Sequence, residues 1–224
     1  GSFRQPGLPL DGQVRLRHDV YLFRRASRYG LDVTVDQLRG LSERAAGGQT
    51  RFRHTWQMAG TYRLGPAWSL EVMAQHQQDR LTSRAFASRS YDIESRAVRP
   101  DITWRLGGGV QVTGGARISW KRDAVGPRTA RLLRFPLEVR WARPQRFALT
   151  GRLEVADVQL DGAATGLARF ELTDGRGPGT SYLWRLGGRY RFSERLRATL
   201  SYDGRAPADA PIINSLRMQM SARF

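Results

Sequence analysis

Cysteine is absent from the 224 residues, so no disulfide staples the fold and no thiolate is available as nucleophile or metal ligand. Long apolar runs are absent too. Nothing approaches the roughly 18 consecutive apolar residues that a membrane-crossing helix needs. Lysine is nearly missing: of 37 basic residues only Lys121 is a lysine. That bias fits a GC-rich coding sequence as readily as selection for guanidinium groups. Linkers, low-complexity tracts and heptad repeats are lacking, so residues 1–224 read as a single domain. Gly1-Ser2-Phe3-Arg4 lacks the apolar core of a signal peptide, which leaves two readings, a leader already removed or a cloning scar.

Hydrophobic residues make up 40% of the chain. Soluble domains share that value with barrels in which only every second residue of a strand meets lipid. Pattern separates the two. From Arg51 to Leu64 the even positions are Phe52, His54, Trp56, Met58, Gly60, Tyr62 and Leu64, and the odd positions are Arg51, Arg53, Thr55, Gln57, Ala59, Thr61 and Arg63. A helix would spread these apolar residues around its circumference, so the segment is a strand. The alternation resumes in Trp68, Leu70, Val72 and Ala74, and again in Ile102, Trp104 and Leu106 before Gly107-Gly108-Gly109. It recurs over Leu133–Trp141, Phe147–Val155, Tyr182–Phe192 and Leu196–Tyr202, with earlier strands around Val14–Leu22 and Leu31–Val35. These strands run about 10–14 residues, against a usual mode of roughly 5–6, and a tilted strand crossing a bilayer needs about 9–11.

Pairing Leu64 with Trp68, Leu106 with Val110, Trp141 with Phe147 and Phe192 with Leu196 keeps every apolar set on one face, through short turns. The connections at the other strand ends read as long: about 38–49, 79–95, 123–130, 157–179 and 204–212. Such sorting of short turns and long loops is the asymmetry of a transmembrane barrel. Tyr62, Trp68, Trp104, Trp141, Phe147, Tyr190 and Phe192 lie on the apolar face near the short-turn rim, where amphipathic rings suit the headgroup level. Phe52, Trp56, Trp120 and Trp184 lie higher and form a candidate second belt. The fold expected is all-β: an antiparallel, up-and-down transmembrane β-barrel.

The chain closes on Leu216-Arg217-Met218-Gln219-Met220-Ser221-Ala222-Arg223-Phe224, with apolar residues alternating down to a terminal phenylalanine. This resembles the carboxy-terminal signal of bacterial outer-membrane proteins, a last strand ending in Phe that the barrel-assembly machinery reads. The resemblance implies a Gram-negative outer-membrane location, Met218, Met220 and Phe224 as the assembly signal, and outer-membrane lipid, the assembly machinery and other envelope proteins as partners. Counting back from Phe224 gives about eleven strands where a single-chain bacterial barrel has an even number. Twelve is therefore the expectation and ten the next, with the missing strand sought in 79–98, in 157–175 or near the amino terminus. The other reading is the carboxy-terminal part of a larger barrel.

A net charge of +17 suggests nucleic acid at first sight. Basic and aromatic residues nevertheless sit on opposite faces of the same strands, whereas a nucleic-acid surface interleaves them. Arg15, Arg17, Arg51, Arg53, Arg63, Arg105, Arg117, Arg134, Arg140, Arg152, Arg185, Arg189, Arg191, Arg197 and Arg217 all share the polar face, the lumen of a barrel. Acids there are fewer: Asp19, Asp32, Glu71, Glu138 and Glu154. Two interiors fit, one plugged by arginine–acid pairs and one that favours anions.

His18, His54 and His76 share parity with the apolar face, and neither a third metal ligand nor a Ser–His spacing accompanies them. No catalytic site, metal or cofactor is therefore expected. The function classes are a porin-like, anion-favouring pore or a structural component of an envelope assembly. The alternative is an outer-membrane lipid-modifying enzyme of lipase or deacylase type. Phe224→Ala should reduce insertion into the outer membrane without reducing synthesis; normal assembly yield of that variant would make the terminal Phe a coincidence.

Overall fold

The computed structural model describes residues 10–22, 28–44, 47–84, 86, 89–143, 146–162 and 166–222. Twelve strands form one sheet: β1 (Leu10–Leu22), β2 (Tyr29–Arg44), β3 (Gly47–Arg63), β4 (Trp68–Ser83), β5 (Tyr91–Leu106), β6 (Val110–Gly115), β7 (Arg117–Asp123), β8 (Arg128–Arg143), β9 (Phe147–Asp161), β10 (Gly179–Arg191), β11 (Leu196–Ala206) and β12 (Ile213–Ala222). One helix, α1 (Gly166–Thr173), follows β9. Every pairing is antiparallel. The chain is an up-and-down β-barrel of transmembrane type. None of the described helices is long and apolar enough to cross a membrane.

β6 and β7 lie on one ladder. Gly115 pairs with Asp101 and Ile118 with Val98, an unbroken register along β5; Gly114↔Leu137 and Arg117↔Arg134 continue it along β8. Only Ala116 separates the two strands. Its N–H donates to the Pro100 carbonyl at 3.0 Å, and Pro100 has no N–H to return. The twelve strands therefore make eleven passes around the sheet, in the order β1 to β6, then β8 to β12.

The two-residue period decides which side chain goes where. Along the half of each strand nearest the short turns, apolar residues point out. Leu186 is 54% exposed and Met218 68%, with Val72, Ile102, Leu137 and Leu153 also exposed. An apolar band continuous around a sheet needs hydrocarbon against it. Toward the other rim the faces exchange roles. There Gln78, Arg80, Asp92, Glu94 and Arg122 point out, while Leu81, Tyr91, Ile93, Ala130, Leu132 and Val158 point in and form the buried cluster. From Trp68 to His76 is about eight residues, roughly 26 Å along the strand; a tilt of about 40° reduces this to about 20 Å, near the ~25 Å apolar height of a membrane barrel.

Aromatic side chains pair at the short-turn rim, three of the pairs across neighbouring strands and Tyr190–Phe192 at the end of β10. Trp68 stacks on Trp104 at 4.9 Å and Tyr29 on Tyr62 at 5.0 Å. Phe147 meets Trp141 edge-on at 4.8 Å, and Phe192 meets Tyr190 at 4.7 Å. Higher up, the Trp184 ring fills the space above Gly204, where a Cβ would lie 2.1 Å from the ring.

Two sequence expectations shift. Trp141 pairs with Leu149 and Arg143 with Phe147, two residues from the expected Trp141–Phe147 register. A shift by two preserves the face of every side chain. The connections expected at 38–49 and 123–130 are largely strand: β2 runs to Arg44 and β3 starts at Gly47, and β7 runs to Asp123 and β8 starts at Arg128, because the strands keep pairing past their apolar segments. Of the expected long connections, the one between β9 and β10 carries α1, while those between β4 and β5 and between β11 and β12 are shorter than expected because the flanking strands run on.

Trp68, Trp104 and Trp141 should be quenched by brominated lipid in reconstituted vesicles, and folded protein should shift its gel mobility on boiling. Quenching by aqueous iodide without a heat-dependent shift would contradict a lipid-facing exterior.

Candidate functional site: the inner face and its helix

α1 folds back against the inner wall. Its sequence, GLARFELT, has two apolar residues one turn apart, Ala168 and Leu172, and both are buried. They pack on Leu81, Tyr91, Ile93, Ala130, Leu132 and Val158, the inward apolar residues of β4, β5, β8 and β9. Leu172 and Leu132 are 0% exposed. The helix stops at Asp174 and Gly175, both with positive φ (52° and 71°), and the Gly175 N–H donates to the Phe170 carbonyl at 2.8 Å. The Phe170 ring lies against Gly175 so closely that a Cβ there would be 2.6 Å from it. Glycine alone fits that position without strain.

Ion pairs tie this end of the helix to the wall. Lys121, on β7, donates from Nζ to the Glu171 carbonyl and to the Asp174 carboxylate, both at 2.5 Å. A cation near the last carbonyls of a helix is favourable. Arg134 donates to the other Asp174 oxygen at 2.9 Å. Arg51 reaches Glu171 at 3.3 Å, and Arg176, just past the helix, meets Glu154 at 2.5 Å. Contacts from β3, β4, β5, β7, β8 and β9 thus converge on one short helix at the mouth opposite the short turns.

The arginines of the polar face divide into paired and open groups. Asp36 receives Arg15 at 2.5 Å, Asp19 receives Arg17 at 2.9 Å, and Asp79 receives both Arg51 and Arg53 at 2.6 Å. Arg99 bridges Asp101 at 2.6 Å and Glu71 at 3.3 Å. On the far wall the pairs lengthen: Arg140–Glu138 at 3.4 Å, Arg152–Glu154 at 3.6 Å and Arg191–Glu194 at 4.0 Å, although Arg185 and Asp203 are in close contact. Among the described residues no carboxylate lies within 4.0 Å of Arg105, Arg117, Arg189, Arg197 or Arg217. Arg63 opposes Ser69 in the ladder between β3 and β4. An open cavity on the far wall is lined by Arg134, Arg152, Arg176, Arg185 and Arg205 together with Glu154, Asp203 and Ser215.

Sequence reasoning missed α1, Lys121, Arg176 and the acids Asp36, Asp79, Asp101, Glu171, Asp174 and Asp203. One signal was present. Leu81, Tyr91, Ile93, Leu132 and Val158 are apolar residues on the polar parity, and they mark where something other than water covers the inner wall.

His54 and His76 stand diagonally across β3 and β4, since Trp56 pairs with His76. Their polar neighbours are Gln37 at 3.5 Å from His54 and Glu94 at 3.9 Å from His76. No group of three or more metal-ligating side chains occurs among the described residues. Met218 and Met220 point outward on β12; Phe224 lies outside the described residues.

The sequence matches no family model and no curated protein. Solved structures share its fold. The chain in the structure of the FpvAI–pyocin S2 complex aligns with a TM-score of 0.51 at 11% identity, over 97% of this chain and 38% of that one. OmpT, an outer membrane protein of Vibrio cholerae, aligns with a TM-score of 0.45 at 10% identity, over 98% of both chains. The translocator domain of autotransporter NalP from Neisseria meningitidis aligns with a TM-score of 0.40 at 12% identity, over 99% of this chain and 90% of that one. The fold is that of the outer-membrane β-barrels.

Leu172→Ala should weaken the seat of α1 by about 2–4 kcal/mol, as expected for a buried leucine, and Lys121→Met should loosen the same end. Both should speed proteolysis between residues 162 and 178 while leaving the strands resistant. Unchanged protection in both variants would mean that the helix is held by something else.

Proposed function

We propose that the chain is an outer-membrane pore whose inner face favours anions, with α1 as a plug held in one mouth. The observation that carries this reading is the uneven charge around the inner face. On β1 to β5, close carboxylates neutralise the guanidinium groups of Arg15, Arg17, Arg51, Arg53 and Arg99, and Arg105 stands open near the short turns. On β8 to β12, Arg134 is held by Asp174 of the helix segment, but Arg140, Arg152, Arg185, Arg189, Arg191, Arg197, Arg205 and Arg217 share a face with only Glu138, Glu154 and Asp203. Arginine stays ionised at every accessible pH. A one-sided wall of guanidinium in a narrow, low-dielectric space attracts anions and repels cations.

On this reading Tyr62, Trp68, Trp104, Trp141, Phe147, Tyr190 and Phe192 anchor the barrel at one headgroup level. Met218, Met220 and Phe224 form the signal read during assembly. A purely structural barrel, fully plugged by ion pairs, accounts for the first wall but not the second. A lipid-modifying enzyme has no such observation behind it.

In planar bilayers the protein should conduct weakly, with anion selectivity at 0.1 M salt that fades toward 1 M as the Debye length falls from about 10 Å to about 3 Å. Leu172→Asp, which places a charge in the apolar seat of α1, should raise conductance. Arg189→Glu with Arg197→Glu should reduce or invert selectivity. Cation selectivity of the unaltered protein would contradict the proposal.

A further inference from the structure

The open cavity on the wall formed by β8 to β12 has a volume of about 530 Å³, within the range of small-molecule sites. Its charges do not balance. Three of its guanidinium groups have close carboxylates: Arg134 holds Asp174 at 2.9 Å, Arg176 holds Glu154 at 2.5 Å, and Arg185 is in contact with Asp203. Arg152 has only a second, looser hold on Glu154, at 3.6 Å. No carboxylate lies within 4.0 Å of Arg205 among the described residues. Two guanidinium groups in excess therefore face one space. Arg152 also stands directly opposite Arg185 in the ladder between β9 and β10, and like charges so placed repel unless an anion lies between them.

Charge is not the whole lining. Leu183, Arg205 and Ile213 form one row across β10, β11 and β12, on the inner face. Arg205 thus stands between two apolar side chains, each about 4.8 Å away along the sheet. Leu183 is 37% exposed and Ile213 46%. The inner apolar residues nearer the mouth, Leu132 and Val158, are covered by α1, whereas these two lie outside that cluster. Ser215 follows on the next row, paired with Asp203.

We propose that this cavity is a binding site for a small amphipathic anion, a carboxylate or phosphate head on an apolar body about the size of one ring. Arg205 and Arg152 take the head, because a guanidinium matches the two oxygens of such a group with parallel N–H donors. Ser215 adds a hydroxyl donor beside them. Leu183 and Ile213 take the body, which removes their apolar surface from water. A bare inorganic anion would satisfy the charges and leave that surface wet. The site deepens the anion-favouring reading and rests on its charge, though not on conduction.

The test is isothermal titration of the folded, detergent-purified protein at low salt, with the heat-dependent gel shift as the check of folding in every variant. The probes are benzoate against acetate, phenyl phosphate against inorganic phosphate, and benzyl alcohol. Each ring-bearing anion should bind saturably and at least about tenfold more tightly than its bare counterpart or the alcohol. Arg205→Gln should weaken both by about tenfold or more, as expected for loss of a charge-assisted pair. Leu183→Ser should bring benzoate close to acetate while leaving acetate unchanged. Arg105→Gln, which removes an inner-face charge outside the cavity, should leave benzoate binding as it was. Bare anions binding as tightly as the ring-bearing ones would overturn the site and leave the anion-favouring pore standing. Benzyl alcohol binding as tightly as benzoate, equal losses in Arg105→Gln and Arg205→Gln, or no saturable binding of either ring-bearing anion would overturn it too. Cation-selective currents beside intact benzoate binding would remove the pore and keep the site.

Discussion

A backbone surrounded by hydrocarbon has no water to satisfy its N–H and C=O groups, so every strand must find its bonds on the strands beside it. That requirement forces neighbouring passes to pair antiparallel over their full length, which the ladders from β1 to β12 do. Pairing at full length in turn fixes a period of two for the side chains, and all further chemistry is distributed by that period. Trp68 and Trp104 stack outside because both fall on the outer parity of paired strands. Asp79 gathers Arg51 and Arg53 inside because all three fall on the inner parity of β3 and β4.

The same period holds above the membrane band, but its contents are exchanged. Once the strands rise beyond lipid, the outer face meets water and carries Arg80, Asp92 and Glu94, paired to one another or to their neighbours. The inner face becomes the place to bury apolar surface, and α1 provides the other half of that small core. The helix is too short to be stable by its own hydrogen bonds. Its existence depends on Ala168 and Leu172 finding Leu132 and Val158, and on Lys121 and Arg134 neutralising Asp174. Fold and helix depend on each other: without the inverted upper wall there is no seat, and without the helix that wall would be an apolar surface facing water.

Much of this was legible in the alternation from Arg51 to Leu64 and its repeats, because a two-residue period has a single structural meaning over that length. The faces of the arginines and of the rim aromatics could be read directly, and even the register error at Trp141 left them intact. What could not be read were the partners. Asp79 looks like a loop acid until β4 is seen to run on to Ser83, and Asp174 belongs to a segment whose helix has only eight residues. The expected twelve strands are present, but the twelfth arises where one pass is divided into β6 and β7 at Ala116, opposite Pro100, and not in 79–98 or 157–175, where pattern seeks it.

The central claim is that one alternation, inverted once along each strand, separates lipid from lumen. Its most direct test is a nitroxide scan of β5, one introduced cysteine at a time from Tyr91 to Leu106, comparing collision rates with oxygen and with a water-soluble nickel complex in lipid vesicles. The account predicts a two-residue oscillation in which Val98, Ile102 and Trp104 are lipid-accessible and Ala97, Asp101 and Arg105 are not. It also predicts that the outward positions Asp92 and Glu94 become water-accessible while Tyr91 and Ile93 are shielded from both reagents. A scan without that oscillation, or one in which Tyr91 and Ile93 collide with oxygen as freely as Ile102 does, would contradict it.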